Sequence, residues 1–110
     1  MWKIIFISEA KTDLSRIDES SRRQILAGIR KVSKNPLPVR AGGYGKPLGN
    51  YKGNNLTGFY KIKFKRIGVR VIYTLDMSSL EMIIITISKR DKNHCYLQAE
   101  KRKSYSKWKK

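Results

Sequence analysis

Apolar and polar residues alternate with a two-residue period through the second half of the chain. The alternation runs through residues 57–65, 69–76 and 80–88, and links of three residues join these segments. Strands joined by such short links pair antiparallel, so the pattern predicts a three-stranded meander. Residues 2–8 are rich in isoleucine and phenylalanine and predict a further, buried strand at the start of the chain.

A helical period appears in residues 11–34, where apolar side chains recur three or four positions apart. Asp18 or Ser20 is positioned to cap a second helix within this segment, and a following proline ends it. The pattern therefore predicts two helices in a hairpin rather than one long rod. A weaker helical pattern in residues 91–103 predicts a final helix.

Residues 35–55 contain all three prolines and five of the eight glycines, so they predict no regular element. Their Gly-Gly-Tyr-Gly-Lys run lacks the spacing and the Lys-Ser/Thr ending of a Walker phosphate loop. The element order β-α-α-β-β-β-α predicts a single α+β domain spanning residues 1–110. We expect an N-terminal strand, a helical hairpin and a mainly antiparallel sheet with the helices packed on one face. For the basic tail, 104–110, disorder is favoured over a contact with RNA or a partner protein.

The charge of the chain narrows the classes of function. Twenty-five Lys and Arg face eight Asp and Glu, which leaves a net charge of +17 and an isoelectric point near 10.3. The positive charges repel one another in the folded chain, and an anionic partner would relieve this repulsion. Nucleic acid is the first candidate for such a partner. The longest apolar runs, 4–7 and 82–85, are far too short to cross a bilayer.

The single cysteine and the single histidine exclude two further classes. Cys95 allows no internal disulfide, and with His94 alone it does not make up a structural zinc site. We expect Cys95 to be a small buried residue and His94 to be solvated or packed. Because the start of the chain carries no export signal, we expect a cytoplasmic protein with no membrane contact.

Alternation in the first strand of the meander predicts a cationic sheet face. Tyr60, Ile62 and Phe64 are assigned to the core, and the opposite face carries three lysines about 7 Å apart, Lys61, Lys63 and Lys65. The next two strands add three more cations: Arg70, Lys89 and Arg90. Tyr96 is expected to lie at the rim of this face. Lysines also protect sheet edges from aggregation, but that role does not require a net charge of +17.

Composition therefore supports binding of RNA or DNA, since Lys and Arg contact phosphates and a tyrosine ring stacks on an unpaired base. A catalytic role is harder to argue from the residues, because they show no His pair, carboxylate pair or metal-ligand cluster. A metal-free ribonuclease needs a base, an acid and charge stabilisation for attack by the ribose 2′-hydroxyl. A lysine close to other cations is a candidate base, although bound phosphate opposes its deprotonation.

Three motifs in the second half resemble the RelE toxins of bacterial toxin–antitoxin systems. They are Leu-Thr-Gly-Phe-Tyr-Lys-Ile-Lys at 56–63, Gly-Val-Arg-Val-Ile-Tyr at 68–73 and Ile-Ser-Lys-Arg at 87–90 with the following Tyr96. Lys-Pro-Leu-Gly at 46–49 is similar to the loop that precedes this core. The resemblance implies a small endoribonuclease that cleaves messenger RNA in the ribosomal A site by the 2′-hydroxyl route. It implies no metal and no cofactor.

The same resemblance assigns roles to five residues. Lys63 matches the general base, Lys61 and Arg70 match the cations that stabilise the pentavalent phosphate, and Arg90 matches the acid that protonates the leaving 5′-oxygen. Tyr96 matches the aromatic that stacks on the cleaved nucleotide. Five further cations are expected to bind RNA: Lys46, Lys65, Arg66, Lys89 and Lys92.

The implied partners are the ribosome with its messenger RNA and a cognate antitoxin protein. The antitoxin is expected to be acidic and apolar and either to shield the basic face or to displace the final helix. DNA would be contacted only through the antitoxin. Two alternatives stay open: a ParE-type toxin that poisons DNA gyrase, and a noncatalytic relative that binds RNA or an antitoxin.

Overall fold

The computed structural model describes residues 1–51, 54–89 and 92–103. In chain order the elements are β1 (Lys3–Phe6), α1 (Ser8–Ser15), α2 (Glu19–Val32), β2 (Lys46–Pro47), β3 (Asn50–Tyr51), β4 (Asn54–Asn55), β5 (Phe59–Phe64), β6 (Val69–Asp76), β7 (Glu81–Ser88) and α3 (Lys92–Lys103). The predicted α+β class is confirmed, and the predicted element order matches apart from three short strands, β2, β3 and β4. None of the helices in the described ranges is long and apolar enough to cross a membrane.

Five strands form one mixed sheet in the order β1-β7-β6-β5-β2. Strand β1 runs parallel to β7, and the other neighbours are antiparallel, as the short links of the meander require. The predicted bounds of β6 are correct, and those of β5 and β7 differ by one or two residues at their ends. Strands β3 and β4 form a separate two-stranded ribbon.

The prediction that residues 35–55 hold no regular element is wrong. This segment contains a short 3₁₀ turn at Val39–Ala41 and three strands of two residues each. Elements of that length show no hydrophobic period. A distant contact also orders the segment, because the buried Tyr73 hydroxyl donates a hydrogen bond to the carbonyl oxygen of Pro36 at 2.9 Å.

The second helix of the hairpin, α2, begins after one of the two predicted capping residues. Asp18 is the N-cap of α2, and its carboxylate accepts a hydrogen bond from the backbone N–H of Ser21 at 3.0 Å. Helix α2 packs on the sheet face that carries Phe64. Gly28 makes this packing possible, because a Cβ atom at that position would lie 2.4 Å from Cε1 of the Phe64 ring.

Helix α3 covers the opposite face of the sheet. Its Arg102 lies 3.5 Å from the Thr86 hydroxyl, and the strand register places Thr86 beside Ile72, on the face that does not carry Phe64. The expectation that the helices share one face is therefore wrong. The apolar pattern of residues 91–103 is too weak to indicate which face the helix covers, and only the tertiary contacts of α3 decide it.

Candidate functional site

The strand register brings three of the predicted catalytic residues together. Lys63 pairs with Arg70, and Lys61 lies two residues before Lys63 on the same face of β5. Lys46 on β2 is directly opposite Lys61. Both of these cross-strand pairs, Lys63 with Arg70 and Lys46 with Lys61, consist of like charges. Residues paired across antiparallel strands have Cβ atoms about 5 Å apart, so the charges within each pair are close. We call these four residues the cationic cluster.

Burial differs within the cationic cluster. Lys63 and Lys46 are exposed, whereas Lys61 and Arg70 are half-buried. The Nε atom of Arg70 is buried, and it has no hydrogen-bond partner among the described residues. A buried guanidinium N–H without an acceptor is costly, and an anionic oxygen would satisfy it. The cluster is therefore a place where a phosphate group is stabilising.

A cationic groove of about 370 Å³ adjoins the cluster at the open end of β5. Lys46, Lys63, Lys65 and Arg66 line it, together with uncharged residues that include Phe64. Lys65 was predicted to lie on the strand face beside Lys61 and Lys63, but β5 ends at Phe64 and Lys65 lies in the turn that follows.

Cys95 and Tyr96 lie on the side of α3 that packs on the sheet. Cys95 is fully buried, as expected, and burial raises the pKa of its thiol to about 12. Tyr96 is only 3% exposed, so its expected place at an open rim is wrong. The reason is that α3 packs on the sheet and the ring belongs to the hydrophobic core. Stacking of Tyr96 on a nucleotide stays a prediction, and it requires the ring to be uncovered.

Three other predicted residues lie away from the cluster or outside the described ranges. Arg90 is outside the described residues, and so is the side chain of Lys92, where α3 begins. Lys89 is exposed, and its Nζ lies 3.7 Å from Oδ1 of Asp18. Both side chains of that pair are more than half exposed, so the contact adds little stability.

Two residues that the sequence reasoning missed occupy the edge of β7. Asp13 and Arg102 form an ion pair with Oδ2 and Nη1 at 2.6 Å, and their side chains are only 10% and 12% exposed. They are 89 positions apart, so no local pattern could have paired them. No group of three or more His, Cys, Asp or Glu that could hold a metal occurs in the part of the chain that the structure describes.

These features define a class: a small α+β domain whose antiparallel meander carries a cationic cluster on the face that a C-terminal helix covers. No protein-family model and no curated protein matches the sequence. Among solved structures, the isolated E. coli RelE toxin superposes with a TM-score of 0.67 at 20% identity, over 93% of this chain and 98% of that chain.

Two solved toxin–antitoxin complexes show the same likeness. The intact E. coli RelBE complex gives a TM-score of 0.64 at 18% identity, over 84% of this chain and 100% of that chain. The RelBE2 complex from Mycobacterium tuberculosis gives 0.52 at 23% identity, over 81% and 91%. The fold of this chain is therefore the RelE fold.

Proposed function

We propose that the protein is the toxin of a type II toxin–antitoxin system and that it cleaves messenger RNA in the ribosomal A site. The observation that carries the proposal is the cationic cluster, in which Lys63 and Arg70 are direct cross-strand neighbours and Lys61 is on the same face. The fold shared with RelE supports the proposal. Lys61, Lys63 and Arg70, which belong to the motifs that resemble RelE, occupy adjacent positions on one sheet face.

In the proposed reaction Lys63 removes the proton from the ribose 2′-hydroxyl. The 2′-oxygen then bonds to the adjacent phosphorus, and the bond from phosphorus to the 5′-oxygen breaks. Arg90 supplies the proton that the leaving 5′-oxygen takes up. The products are a 2′,3′-cyclic phosphate and a 5′-hydroxyl, so atoms and charge balance without a metal or cofactor.

Lys61 and Arg70 stabilise the charge that develops on the phosphate. Both are half-buried, and charge stabilisation by fixed donors is strongest where water is partly excluded. The Nε–H of Arg70, which has no hydrogen-bond partner within residues 1–51, 54–89 and 92–103, offers a donor that a phosphate oxygen would engage. Lys46, Lys65 and Arg66 in the adjoining groove would hold neighbouring phosphates of the same strand.

The proposed protein partner is an acidic antitoxin. The chain carries a net charge of +17, and two of its structural neighbours are toxins in complex with antitoxins. An acidic chain laid over the cationic cluster would neutralise it and block access of RNA. The ribosome is the second proposed partner, because its RNA presents the same phosphate chemistry.

A cleavage assay tests the proposal directly. Programmed ribosomes and a reporter messenger RNA are incubated with the protein, and cuts are mapped by primer extension. We expect cuts at A-site codons only when ribosomes are present, and we expect Lys63→Ala and Arg90→Ala to abolish them. Lys3→Ala is the matched control, since Lys3 is an exposed strand lysine on β1 at the opposite edge of the sheet.

Each other outcome has a definite meaning. Cleavage that Lys63→Ala leaves unchanged would contradict the assignment of the base. Absence of cleavage by folded, ribosome-binding protein would contradict the nuclease proposal. A DNA gyrase supercoiling assay would then test the gyrase-poison alternative.

A further inference from the structure

The edge of β7 is completed by side chains rather than by a strand. Strand β1 pairs with β7 up to Phe6 opposite Ile84, and the last backbone bond runs from Ile7 N–H to the Ile84 oxygen. Beyond that point the Ile87 N–H donates to Oδ2 of Asp13 at 3.0 Å. Asp13 therefore takes the place of a missing backbone acceptor.

Arg102 completes the same edge from α3. It donates to both carboxylate oxygens of Asp13, at 2.6 and 3.2 Å, and to the backbone oxygen of Ile85 at 2.8 Å. One guanidinium thus joins α1, β7 and α3. Because both side chains of the ion pair are nearly buried, its geometry is constrained and its loss would leave an uncompensated charge.

The position of α3 matters for the cationic cluster because both occupy one sheet face. Arg102 lies close to Thr86, which pairs across the strands with Ile72, and Ile72 pairs with Lys61. The neighbouring set of paired residues on the same face contains Lys63 and Arg70. The buried Cys95 lies seven residues before Arg102, about 10 Å along the helix. Helix α3 also contacts β6, the strand that carries Arg70. The charge of Arg70 opposes the rise in the pKa of the Cys95 thiol, in agreement with this contact.

We propose that Asp13 and Arg102 are positioning residues that hold α3 against Arg70 and so fix the orientation of the Arg70 guanidinium. They act without touching RNA. The inference rests on the proposed function only for its effect on cleavage, since the seating of α3 is a property of the free protein. If α3 were displaced, the Arg70 side chain would lose the helix that restricts its orientation. Misplacement of a catalytic group by about 1 Å can cost 10²-fold in rate.

Arg102→Lys is the informative substitution. It keeps the positive charge, but it loses the planar fork that reaches Asp13 and Ile85 together. Arg23→Lys is the matched control, because Arg23 forms an exposed ion pair with Glu19 at 3.1 Å. Arg102→Ala is the harsher variant and is used only if thermal unfolding shows that it folds.

Two readouts do not depend on cleavage. Cys95 is the only cysteine, so its labelling by a thiol reagent reports the opening of α3. We expect Arg102→Lys to label about tenfold to a hundredfold faster, the factor expected when one charge-assisted hydrogen bond is lost. The ¹⁵N-correlated signal of the Arg70 Nε–H should shift in Arg102→Lys, whereas in Arg23→Lys it should not.

The cleavage assay then separates positioning from general stability. The expected result is a lower kcat with a nearly unchanged KM at a temperature where both proteins are folded. Unchanged labelling and an unchanged Arg70 signal would overturn the proposal. Faster labelling with normal kcat would also overturn it, since α3 would then be held without positioning the site. If the parent protein does not cleave RNA, the proposed function fails, whereas the labelling rate and the Arg70 signal still decide the positioning of Arg70.

Discussion

The cationic cluster should lower the stability of the fold, and one substitution measures by how much. Lys61 lies directly opposite Lys46 across the β2–β5 pair. Directly opposed like charges destabilise a sheet by roughly 0.2–1 kcal/mol relative to neutral pairs. Lys61→Gln removes this repulsion and keeps a polar side chain, so we expect the free energy of unfolding to rise by about that amount.

The expected change in Tm follows from the size of the chain. At about 2.1 cal/mol/K per residue, the unfolding entropy of 110 residues is about 0.2 kcal/mol/K, so the gain is roughly 1–4 °C. Screening lengths fall from about 30 Å at 0.01 M salt to about 3 Å at 1 M, so the gain should shrink as salt is added. Thermal unfolding followed by circular dichroism at low and high salt measures both quantities.

Activity should change in the opposite direction. Loss of one donor to a developing oxyanion typically costs about 10²–10³ in rate, so the stabilised Lys61→Gln protein should cleave poorly. Lys3→Gln is the control, because Lys3 on β1 lies opposite an acidic residue, Glu81, and its loss should not stabilise the fold. A lower Tm for Lys61→Gln, or a gain that salt leaves unchanged, would refute the reasoning.

Three further predictions test local features. Asp18→Ala should lower the Tm at pH 7. The Ser21 N–H donates to the Asp18 carboxylate and holds its pKa below the ordinary 3.8. The difference in Tm between the parent protein and Asp18→Ala should therefore be fully present above pH 3.8 and disappear as the pH falls through the lowered pKa. Tyr73→Phe removes the buried hydrogen bond to Pro36 and should cost about 1–3 kcal/mol in a denaturant titration; Tyr60→Phe, in the ring that stacks on Tyr73 with centroids 5.3 Å apart, should cost less. Arg66→Ala should weaken binding of single-stranded RNA and make its dependence on salt less steep, by about 0.7 in the log–log slope; an unchanged slope would exclude the groove as a phosphate site.

The alternation of β5 was sufficient to predict the centre of the candidate site. A two-residue period places Lys61 and Lys63 on one face wherever the strand ends, and the short link to β6 favours antiparallel pairing. The end of the strand was not predictable to one residue, and so Lys65 was placed on the strand, whereas it lies in the turn after Phe64. The position of Lys46 opposite Lys61 depends on a strand of two residues, which has no period to detect.

The features that were missed depend on contacts between distant parts of the chain. The helical pattern of 91–103 is weak because, among the side chains of α3 that the structure describes, the buried ones form a narrow stripe of Cys95, Tyr96 and Ala99. The face that α3 covers is set by tertiary contacts, among them the pairing of Arg102 with Asp13. A sequence shows that both residues are charged, but it does not show that they are buried together.

The most direct test of the proposed chemistry is the structure of the cut ends in the ribosome assay. The reporter messenger RNA is prepared with and without a single 2′-deoxynucleotide on the 5′ side of the mapped cut. Attack by the 2′-hydroxyl predicts a 2′,3′-cyclic phosphate and a 5′-hydroxyl on the normal RNA, and no cut at the substituted position. Cleavage at the 2′-deoxynucleotide, or products that carry a 5′-phosphate, would contradict the mechanism.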